Sequence, residues 1–466
     1  MTASLAAPAR ATLPSRLSWT AFTLQEVVRG WRLPYAPAAR IDALQARRVR
    51  AIVAHAYATV PFYRDAMNER GLVPGDIRSA ADLSLLPLVT GAALAADPWR
   101  FRSTAVAHEP LLELTTSGTT GHAKRIWWDR AAVFRARAAG VHQRRIISEI
   151  LGRSRGSRVL LVVRRGGTGD DVRAFHDAHS LLADPSASGI AAISPEDAFE
   201  HNRSIVNHLR PDVLMGFGSY VGALYRWAQR SGRAIHVPKL VWHGGEQLPD
   251  VDAELLAQRF GIAVRSSYQA CEALRIAVEC PPGGGLHVYA DQVVVRIADD
   301  AGRTVAPGQR GQVVLSCLTN RATVLLNYAI GDVASMASEP CACGRTLPRL
   351  ERLEGRADDL VRLPDGEVAH DSVLLSRLYA VPGVVRLQLV QETLDRFTIR
   401  VAHTAELDEA TLRERLTSAL RDALGGRDVR IDVAIADRLA PDASGKFRTV
   451  VSRVRDGATT VDSATR

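Results

Sequence analysis

The segment best suited to chemistry is a run of hydroxyl-bearing residues and glycines that ends in a lysine. It reads Thr115-Thr116-Ser117-Gly118-Thr119-Thr120-Gly121-His122-Ala123-Lys124. Its glycines let backbone amides approach phosphate oxygens, its hydroxyls add hydrogen-bond donors, and Lys124 adds a compact positive charge. A Walker A loop is excluded, because that loop has four residues between its glycines and a lysine directly after the second. The run therefore predicts a phosphate-binding loop of another kind, with an ordinary polar surface loop as the alternative.

Lysine is scarce in this chain, which makes its positions informative. Of 59 Lys plus Arg residues, only Lys124, Lys239 and Lys446 are lysine. Arginine supplies the ordinary positive charge, so a lysine is expected where a small ammonium group is required. Lys446 follows Ser444-Gly445 and Lys124 ends the hydroxyl-rich run, so both are candidates for contact with a nucleotide. Chance placement of the three lysines is the alternative.

Further polar motifs follow that run along the chain. They are, in order, Gly244-Gly245-Glu246, Tyr268-x-x-x-Glu272, Tyr328-x-x-Gly331-Asp332, Gly355-Arg356-x-Asp358-Asp359 and Ser444-Gly445-Lys446. Together with the run 116–124, this ordered set resembles the signature motifs of the adenylate-forming superfamily of acyl-CoA synthetases, luciferases and adenylation domains. The resemblance spans residues from about 45 to 455. Three N-terminal stretches are similar to its phenylacetate–CoA ligase-like branch, namely Val60-Pro61-Phe62-Tyr63-Arg64, Ala81-Asp82-Leu83 and Leu86-Pro87-Leu88.

The resemblance implies ATP-dependent activation of a carboxylic acid, in which the carboxylate attacks the α-phosphorus and pyrophosphate leaves. Lys446 would place positive charge between the reacting groups, and Glu272 would hold Mg²⁺ on the phosphate oxygens, so these two are the candidate catalytic residues. Asp332 would accept hydrogen bonds from the ribose, and Tyr268 would offer a flat face to adenine. The residues implied to bind the nucleotide are Thr116, Ser117, Gly118, Thr119, Thr120, Gly121, Lys124, Gly245, Glu246, Tyr268, Asp332 and Arg356.

The resemblance also implies a second half-reaction and a moving part. A small domain would rotate about a hinge at Asp358, with one orientation for adenylation and the other for thioester formation. CoA is the expected acyl acceptor, but segment 360–367 departs from the branch, which leaves an amine or a carrier-protein thiol as alternatives. A nucleotide-binding homologue without ligase activity is the rival interpretation, and Lys446 argues against it. The acid is expected to be an aryl or arylacetic acid, with candidate pocket residues Phe217, Tyr220, His243 and Gly244.

A separate constellation consists of Cys280, His287, Cys341 and Cys343. Three thiols and one imidazole are a complete tetrahedral ligand set for Zn²⁺. The Cys-x-Cys pair follows Pro340 in a turn-like context that is unsuited to core packing. The alternative is that these cysteines act as small hydrophobic residues. Five cysteines in all are too few and too unevenly spaced for a secreted disulfide scaffold, so a reducing cytoplasm is expected.

Apolar periodicity predicts the elements that must position these residues. Helical patterns cover 40–60, 130–151, 198–209, 219–231 and 252–260, and strand-like runs cover 159–163, 237–242, 262–265, 293–297 and 312–317. Their alternation predicts an α/β fold of packed sheets and helices. Strands at 384–390, 397–402 and 429–434 and a helix at 408–424 predict a small α+β domain. We therefore expect a large N-terminal domain over 1–354, with residues 1–40 frayed, and a small, mobile C-terminal lid domain over 355–466.

The composition of the chain limits the classes of partner that are expected. Hydrophobic residues make up 47% of the 466 residues, and no uninterrupted apolar run approaches the ~20 residues of a membrane span, so no membrane partner is expected. The net charge of +9 is scattered along the chain without a recognition motif, so nucleic acid is not an expected partner. We expect a cytoplasmic enzyme that uses ATP, Mg²⁺ and CoA and holds a structural Zn²⁺. The oligomeric state is left open, a homodimer included.

Overall fold

A computed structural model of the chain describes residues 10–106, 109–116, 123–164, 166–182, 191–280, 284–442 and 446–454. Its helices are α1 Leu13–Trp31, α2 Ala38–Thr59, α3 Pro61–Glu69, α4 Gly91–Ala96, α5 Arg130–Leu151, α6 Thr168–His179, α7 Phe199–Leu209, α8 Gly218–Arg230, α9 Asp250–Glu254, α10 Asp371–Tyr379 and α11 Glu409–Ala423. Its strands are β1 Val89–Thr90, β2 Leu112–Thr116, β3 Lys124–Trp128, β4 Val159–Val162, β5 Ala191–Ile193, β6 Val213–Gly216, β7 Leu240–Gly244, β8 Ala263–Tyr268, β9 Ala277–Glu279, β10 Leu286–Val288, β11 Val293–Ala298, β12 Arg310–Cys317, β13 Tyr328–Met336, β14 Arg349–Arg356, β15 Val361–Arg362, β16 Val368–Ala369, β17 Val384–Thr393, β18 Arg396–His403, β19 Arg430–Ile435 and β20 Val450–Ser452. The predicted α/β fold class is confirmed.

One long sheet organises the N-terminal part of the molecule. Strands β5, β4, β6, β7 and β8 are parallel neighbours, and β9, β10, β14, β13, β12 and β11 continue the sheet in antiparallel order. Helix α5 packs on one face of the parallel half and α8 on the other, which explains why those strands are apolar on both faces. Because ligands bind beyond the carboxyl ends of parallel strands, the segments after β6, β7 and β8 are where the fold places a site.

Local sequence explains where several helices begin and end. The side chain of Asp129 caps α5 by accepting a hydrogen bond from the Ala132 amide at 2.9 Å, and Gly152 ends the helix with a φ of +67°. Asp408 caps α11 in the same way through the Thr411 amide at 3.0 Å. The predicted helix 130–151 and the cap at Asp408 are therefore confirmed.

Three predicted elements differ from the structure. The strand predicted at 237–242 begins only at Leu240, because Pro238 cannot donate to a central ladder. The strand predicted from 262 to 265 continues to Tyr268, which brings that side chain to the end of β8. The helix predicted at 252–260 is the short α9 followed by the π-helical turn Leu255–Arg259.

The expectation of a frayed segment up to residue 40 is wrong for the residues that the structure describes. Helix α1 packs on α5, and Trp19 stacks on Phe134 with 5.4 Å between the ring centroids. Glu26, the one acidic residue of α1, lies 3.6 Å from the guanidinium of Arg135. Contacts with a distant helix order this segment, and such contacts leave no local signal in a sequence rich in alanine and arginine.

The C-terminal residues form a second, smaller layered unit. Its sheet has the order β19-β18-β17-β20, and α10 and α11 cover one face. Leu412, Leu416 and Leu420 are fully buried at helical spacing, as the apolar stripe predicts. The division at residues 354 and 355 stays a prediction. Within the described part of the chain, no helix is long and apolar enough to cross a membrane.

Candidate active site

A cavity of about 2130 Å³ lies at the carboxyl ends of β6, β7 and β8, and residues 446–450 of the smaller unit close part of it. A pocket for one small ligand measures roughly 300–1,000 Å³, so this cavity has room for more than one substrate. Among the predicted site residues, those that line it are Thr116, Lys124, Phe217, His243, Gly244, Gly245, Glu246, Tyr268, Glu272, Asp332, Arg356 and Lys446. Ser117, Gly118, Thr119, Thr120 and Gly121 lie outside the described residues.

Lys124 and Glu272 are paired in this cavity, although 148 residues separate them in sequence. The Lys124 ammonium donates to Glu272 Oε1 at 2.7 Å and to the Tyr328 hydroxyl at 3.1 Å, and that hydroxyl donates to the same oxygen at 3.2 Å. Burial acts to raise the pKa of Glu272, but the charge and hydrogen bond of Lys124 outweigh burial, and the pKa lies below its ordinary value. The carboxylate is therefore ionised and suited to a hard cation such as Mg²⁺.

Tyr268, Asp332 and Arg356 form a second polar group on neighbouring strands. The Tyr268 hydroxyl donates to Asp332 Oδ2 at 2.5 Å, and Arg356 Nη1 lies 3.3 Å from Oδ1 of the same carboxylate. Asp332 and Arg356 are register partners on β13 and β14. Gly331 has a φ of +86°, and a Cβ there would approach the Arg356 guanidinium to 3.0 Å, so glycine is required beside it. Burial raises the pKa of Asp332, and Arg356 opposes that rise.

Exchange of Lys124 for methionine is expected to make stability depend on pH in a defined direction. In the wild type the ionised Glu272 stabilises the fold above its unfolded pKa of about 4.3, and this contribution is lost as pH falls through the lower folded pKa. Without the ammonium, the buried carboxylate is uncompensated, so the variant should lose about 3 kcal/mol near neutral pH. The deficit should shrink as pH falls through the lowered folded pKa of Glu272, because below it the carboxyl group is protonated in both proteins.

Thermal unfolding measured between acid and neutral pH tests this expectation. Lys239→Met is the matched control, because Lys239 is exposed and lies outside the cavity. A deficit of Lys124→Met that stayed constant across the pH range would contradict the role of the ion pair.

The smaller unit brings Lys446 to the edge of the same cavity. The Lys446 amide donates to Asp442 Oδ1 at 3.1 Å, and the Arg448 guanidinium pairs with Asp359 at 2.8 Å. Burial raises the pKa of Asp359 to about 6, against the charge of Arg448. Asp358, the predicted hinge, lies in the 3₁₀ turn Ala357–Asp359 between β14 and the smaller unit. The ion pair of Arg448 with Asp359 thus brings the lysine segment into contact with the turn that contains the predicted hinge.

Two predicted residues serve other purposes in the structure. Tyr220 is fully buried between α7 and α8, where its hydroxyl accepts a hydrogen bond from Asn202 Nδ2 at 2.5 Å, so it is not part of the pocket wall. The carboxylate of Glu246 is bonded to Ser219 and to the Phe447 amide. Helical periodicity turns Tyr220 into the core, while Phe217, which precedes α8, remains at the cavity.

The structure adds a wall that the sequence did not reveal. One face of α5 lines the cavity through Ala136, Gly140 and Gln143. A Cβ on Gly140 would lie 3.0 Å from the Arg275 guanidinium, which donates to Gln143 Oε1 at 3.0 Å. Gln143 Nε2 also lies 3.8 Å from the Met215 sulfur. The signal that could have revealed this face is a glycine in the middle of a long helix, a position that disfavours glycine unless a neighbour approaches closely.

The four predicted zinc ligands lie together at one edge of the large sheet. The ligand atoms of Cys280, His287, Cys341 and Cys343 are all within 4.8 Å of one another. The Cys280 and Cys341 sulfurs are 3.4 Å apart, and His287 Nε2 is 3.2 Å from the Cys343 sulfur. Tetrahedral ligands around Zn²⁺ lie about 3.5–3.8 Å apart, so the donor set fits that ion. His287 Nδ1 is 3.4 Å from the Leu347 carbonyl, which leaves Nε2 toward the cluster.

Solved structures share this fold over most of its length. The chain superposes on 2-hydroxyisobutyryl-CoA ligase in its postadenylation state, in complex with R3-HIB-AMP, with a TM-score of 0.70 and 22% identity over 90% of this chain and 91% of that one. The TM-score to the same ligase with 2-HIB-AMP and CoA in its thioesterification state is 0.58, at 21% identity over 90% and 91% of the two chains. Fold and sequence similarity therefore point to one class of protein. The chain is similar to AMP-forming carboxylate–CoA ligases of the adenylate-forming superfamily, as its motifs predict.

Proteins with a similar sequence indicate a narrower group within this class. The phenylacetate-coenzyme A ligase of Thermus thermophilus is 26% identical over 420 residues, which cover 87% of this chain and 89% of that protein. The CapK C-terminal domain family matches residues 363–453. The predicted resemblance to the phenylacetate–CoA ligase-like branch is confirmed, since the chain is similar to a phenylacetate-coenzyme A ligase over most of its length.

Proposed function

We propose that this protein joins a carboxylic acid to CoA in two steps. In the first, the acid carboxylate attacks the α-phosphorus of ATP, giving an acyl-adenylate and pyrophosphate. In the second, the CoA thiol attacks the acyl carbon, giving a thioester and AMP. The observation that carries the proposal is the position of Lys446 at the cavity that also holds Lys124, Glu272 and Asp332. A protein that only binds nucleotide has little need of a second lysine there.

Each polar group in the cavity has a role in this scheme. Lys124 and the hydroxyl-rich loop would hold the β- and γ-phosphates, and Asp332 would accept hydrogen bonds from the ribose hydroxyls. Mg²⁺, when bound, neutralises phosphate charge, and the ionised carboxylate of Glu272 is the group that would hold it. The ion pair with Glu272 would position the Lys124 ammonium before phosphates arrive. Lys446 would stabilise the charge that develops as the carboxylate meets the α-phosphate.

The acid itself is proposed to be an aryl or arylacetic acid. Apolar side chains line the cavity next to the polar group, among them Met215, Phe217 and Trp242. The Thermus thermophilus relative is named for phenylacetate, which has the same character. Pyrophosphate release with a panel of aryl, arylacetic and short hydroxy acids, with and without CoA, tests the proposal. Equal release with every acid, or none with any, would reject the substrate class.

Substitution of Asp358 by proline is expected to separate the two half-reactions. Proline locks φ near −65° and so removes rotation at the hinge position. Adenylate formation should persist, and the consumption of preformed acyl-adenylate by CoA should fall to background. Stopped-flow measurement of each half-reaction provides the test, with Asp358→Ala as the control that leaves φ free. Wild-type thioester formation by the proline variant would exclude rotation at this residue.

The identity of the acyl acceptor can be tested with the wild-type protein. If the wild type forms adenylate but CoA never consumes it, CoA is not the acceptor. Amines and carrier-protein thiols would then be assayed in place of CoA. The proposed adenylation step would not be affected by that result.

A further inference from the structure

Glu246 belongs to the Gly244-Gly245-Glu246 motif, and its carboxylate joins the two units of the molecule. Oε1 accepts hydrogen bonds from the Ser219 amide at 3.1 Å and from the Ser219 hydroxyl at 2.6 Å. Oε2 accepts a hydrogen bond from the Phe447 amide at 2.8 Å. Ser219 lies in the first turn of α8 in the large unit, and Phe447 directly follows Lys446. We propose that Glu246 is a positioning residue that holds Lys446 where adenylation requires it, a role that rests on the function proposed above.

The ring of Phe447 is also in close contact with a neighbouring side chain. The Arg386 guanidinium lies 3.8 Å from the centroid of that ring, and its Nη1 donates to the Leu439 carbonyl at 3.2 Å. Both side chains are buried. Arg386 is close enough to Glu246 for its charge to oppose the rise in pKa that burial gives this carboxyl. With amide and ring both fixed, the backbone of Lys446 cannot shift unless the bond to Glu246 breaks.

Two further sets of contacts made by the lysine segment lie within the C-terminal part. The Asp442 amide donates to the Lys446 carbonyl at 2.8 Å, and the Lys446 amide donates to Asp442 Oδ1, which closes a local loop. Arg448 pairs with Asp359 of the hinge turn. These contacts can travel with the smaller unit when it rotates. The bond from Glu246 to Phe447 crosses to the large unit and must break.

The bond therefore stabilises one orientation of the smaller unit and not the other. Shape similarity supports adenylation as that orientation, since the TM-score to the hydroxyisobutyryl-CoA ligase is higher for its postadenylation state than for its thioesterification state. Substitution of such a residue should therefore slow the first half-reaction and leave the rate of the second unchanged. A residue that binds adenosine would instead change the affinity for ATP.

Glu246→Gln is the test variant, because it keeps size and shape. Helix α8 begins beside the side chain, and its N-terminal dipole favours the amide oxygen over the NH₂ group at Ser219. The NH₂ group then faces the Phe447 amide, so two donors meet and the bond is lost. Arg230→Gln is the matched control, because Arg230 also bridges the two units, donating to the Tyr379 and Val381 carbonyls at 3.0 and 3.2 Å. That bridge does not involve the Lys446 segment.

Four measurements define the outcome, with phenylacetate and phenylacetyl-adenylate as probes. For Glu246→Gln we expect a roughly 10- to 100-fold slower adenylation step, since a buried donor loses its partner. The dissociation constant for ATP and the rate at which CoA consumes the preformed adenylate should be unchanged. Hydrogen exchange at the Phe447 amide should be faster than in the wild type. Arg230→Gln should leave exchange at that amide unchanged.

Three results would overturn the positioning role. They are weaker ATP binding that accounts for the slower adenylation, equal losses in both half-reactions, and unchanged exchange at the Phe447 amide in Glu246→Gln. The exchange measurement needs no turnover, so it separates this inference from the proposed function. A wild type that makes no adenylate, yet whose Phe447 amide loses protection in the variant, would refute the function and leave the contact intact.

Discussion

Replacement of Lys446 by alanine is expected to slow acid-dependent pyrophosphate release by about 10²–10³-fold, while ATP still binds. In the proposed function the ammonium stabilises charge that develops between the carboxylate and the α-phosphate, so its loss should cost more in the transition state than in the ground state. The other polar groups of the cavity, Lys124 with Glu272 and Asp332 with Arg356, would remain in place to bind the nucleotide. Pyrophosphate release in single turnovers and the dissociation constant for ATP are the two measurements required.

Two further lysine variants make the result specific. Lys446→Arg keeps the charge but replaces a compact ammonium group with a larger, planar guanidinium group, so partial activity is expected. Lys239→Ala removes the exposed lysine outside the cavity and should behave as the wild type. Wild-type pyrophosphate release by Lys446→Ala would remove the lysine from the mechanism. It would also restore the rival interpretation of a homologue that binds nucleotide without ligating.

The motifs could be assigned from sequence because their chemistry depends on residue type and order. Lys124 and Glu272, or Tyr268 and Asp332, lie far apart in the chain, and only the fold brings each pair into contact. What the sequence could not supply is the direction of a side chain. Glu246 belongs to a predicted nucleotide-binding motif, but its carboxylate faces Ser219 and Phe447, because α8 begins beside it.

Side chains on regular elements show the same limit. Tyr220 lies three residues after Phe217 in sequence, but the helical turn between them sends one ring into the core and leaves the other at the cavity. Helix α1 is ordered by stacking of Trp19 on Phe134, a contact across more than one hundred residues. The order of α1 does not follow from local propensity, because a contact with a distant helix provides it.

Loss of zinc is the second large effect that we expect. Protein purified without chelators should contain about one zinc per chain, and Cys343→Ser should lose the ion. The cluster joins the β9–β10 hairpin, which carries Cys280 and His287, to the loop that carries Cys341 and Cys343. The same loop supports the N-terminal segment, since the Thr346 amide donates to the Pro34 carbonyl at 2.7 Å. Removal of the ion should therefore loosen this segment as well as the loop.

The expected loss is about 3–5 kcal/mol, or a fall in Tm of roughly 10 °C, because unpaired ligands, two of them buried, replace a closed site. Elemental analysis gives the zinc content, thermal unfolding gives Tm, and hydrogen exchange over α1 reports on the N-terminal segment. Cys271→Ser is the matched control, since Cys271 lies outside the cluster and its loss should leave the zinc content at the wild-type value. Adding zinc back to chelator-treated wild type should restore Tm, but the same addition should not rescue Cys343→Ser. Protein that contains no zinc when purified without chelators, or a Cys343→Ser variant with wild-type zinc content and Tm, would show that the four side chains pack together without an ion.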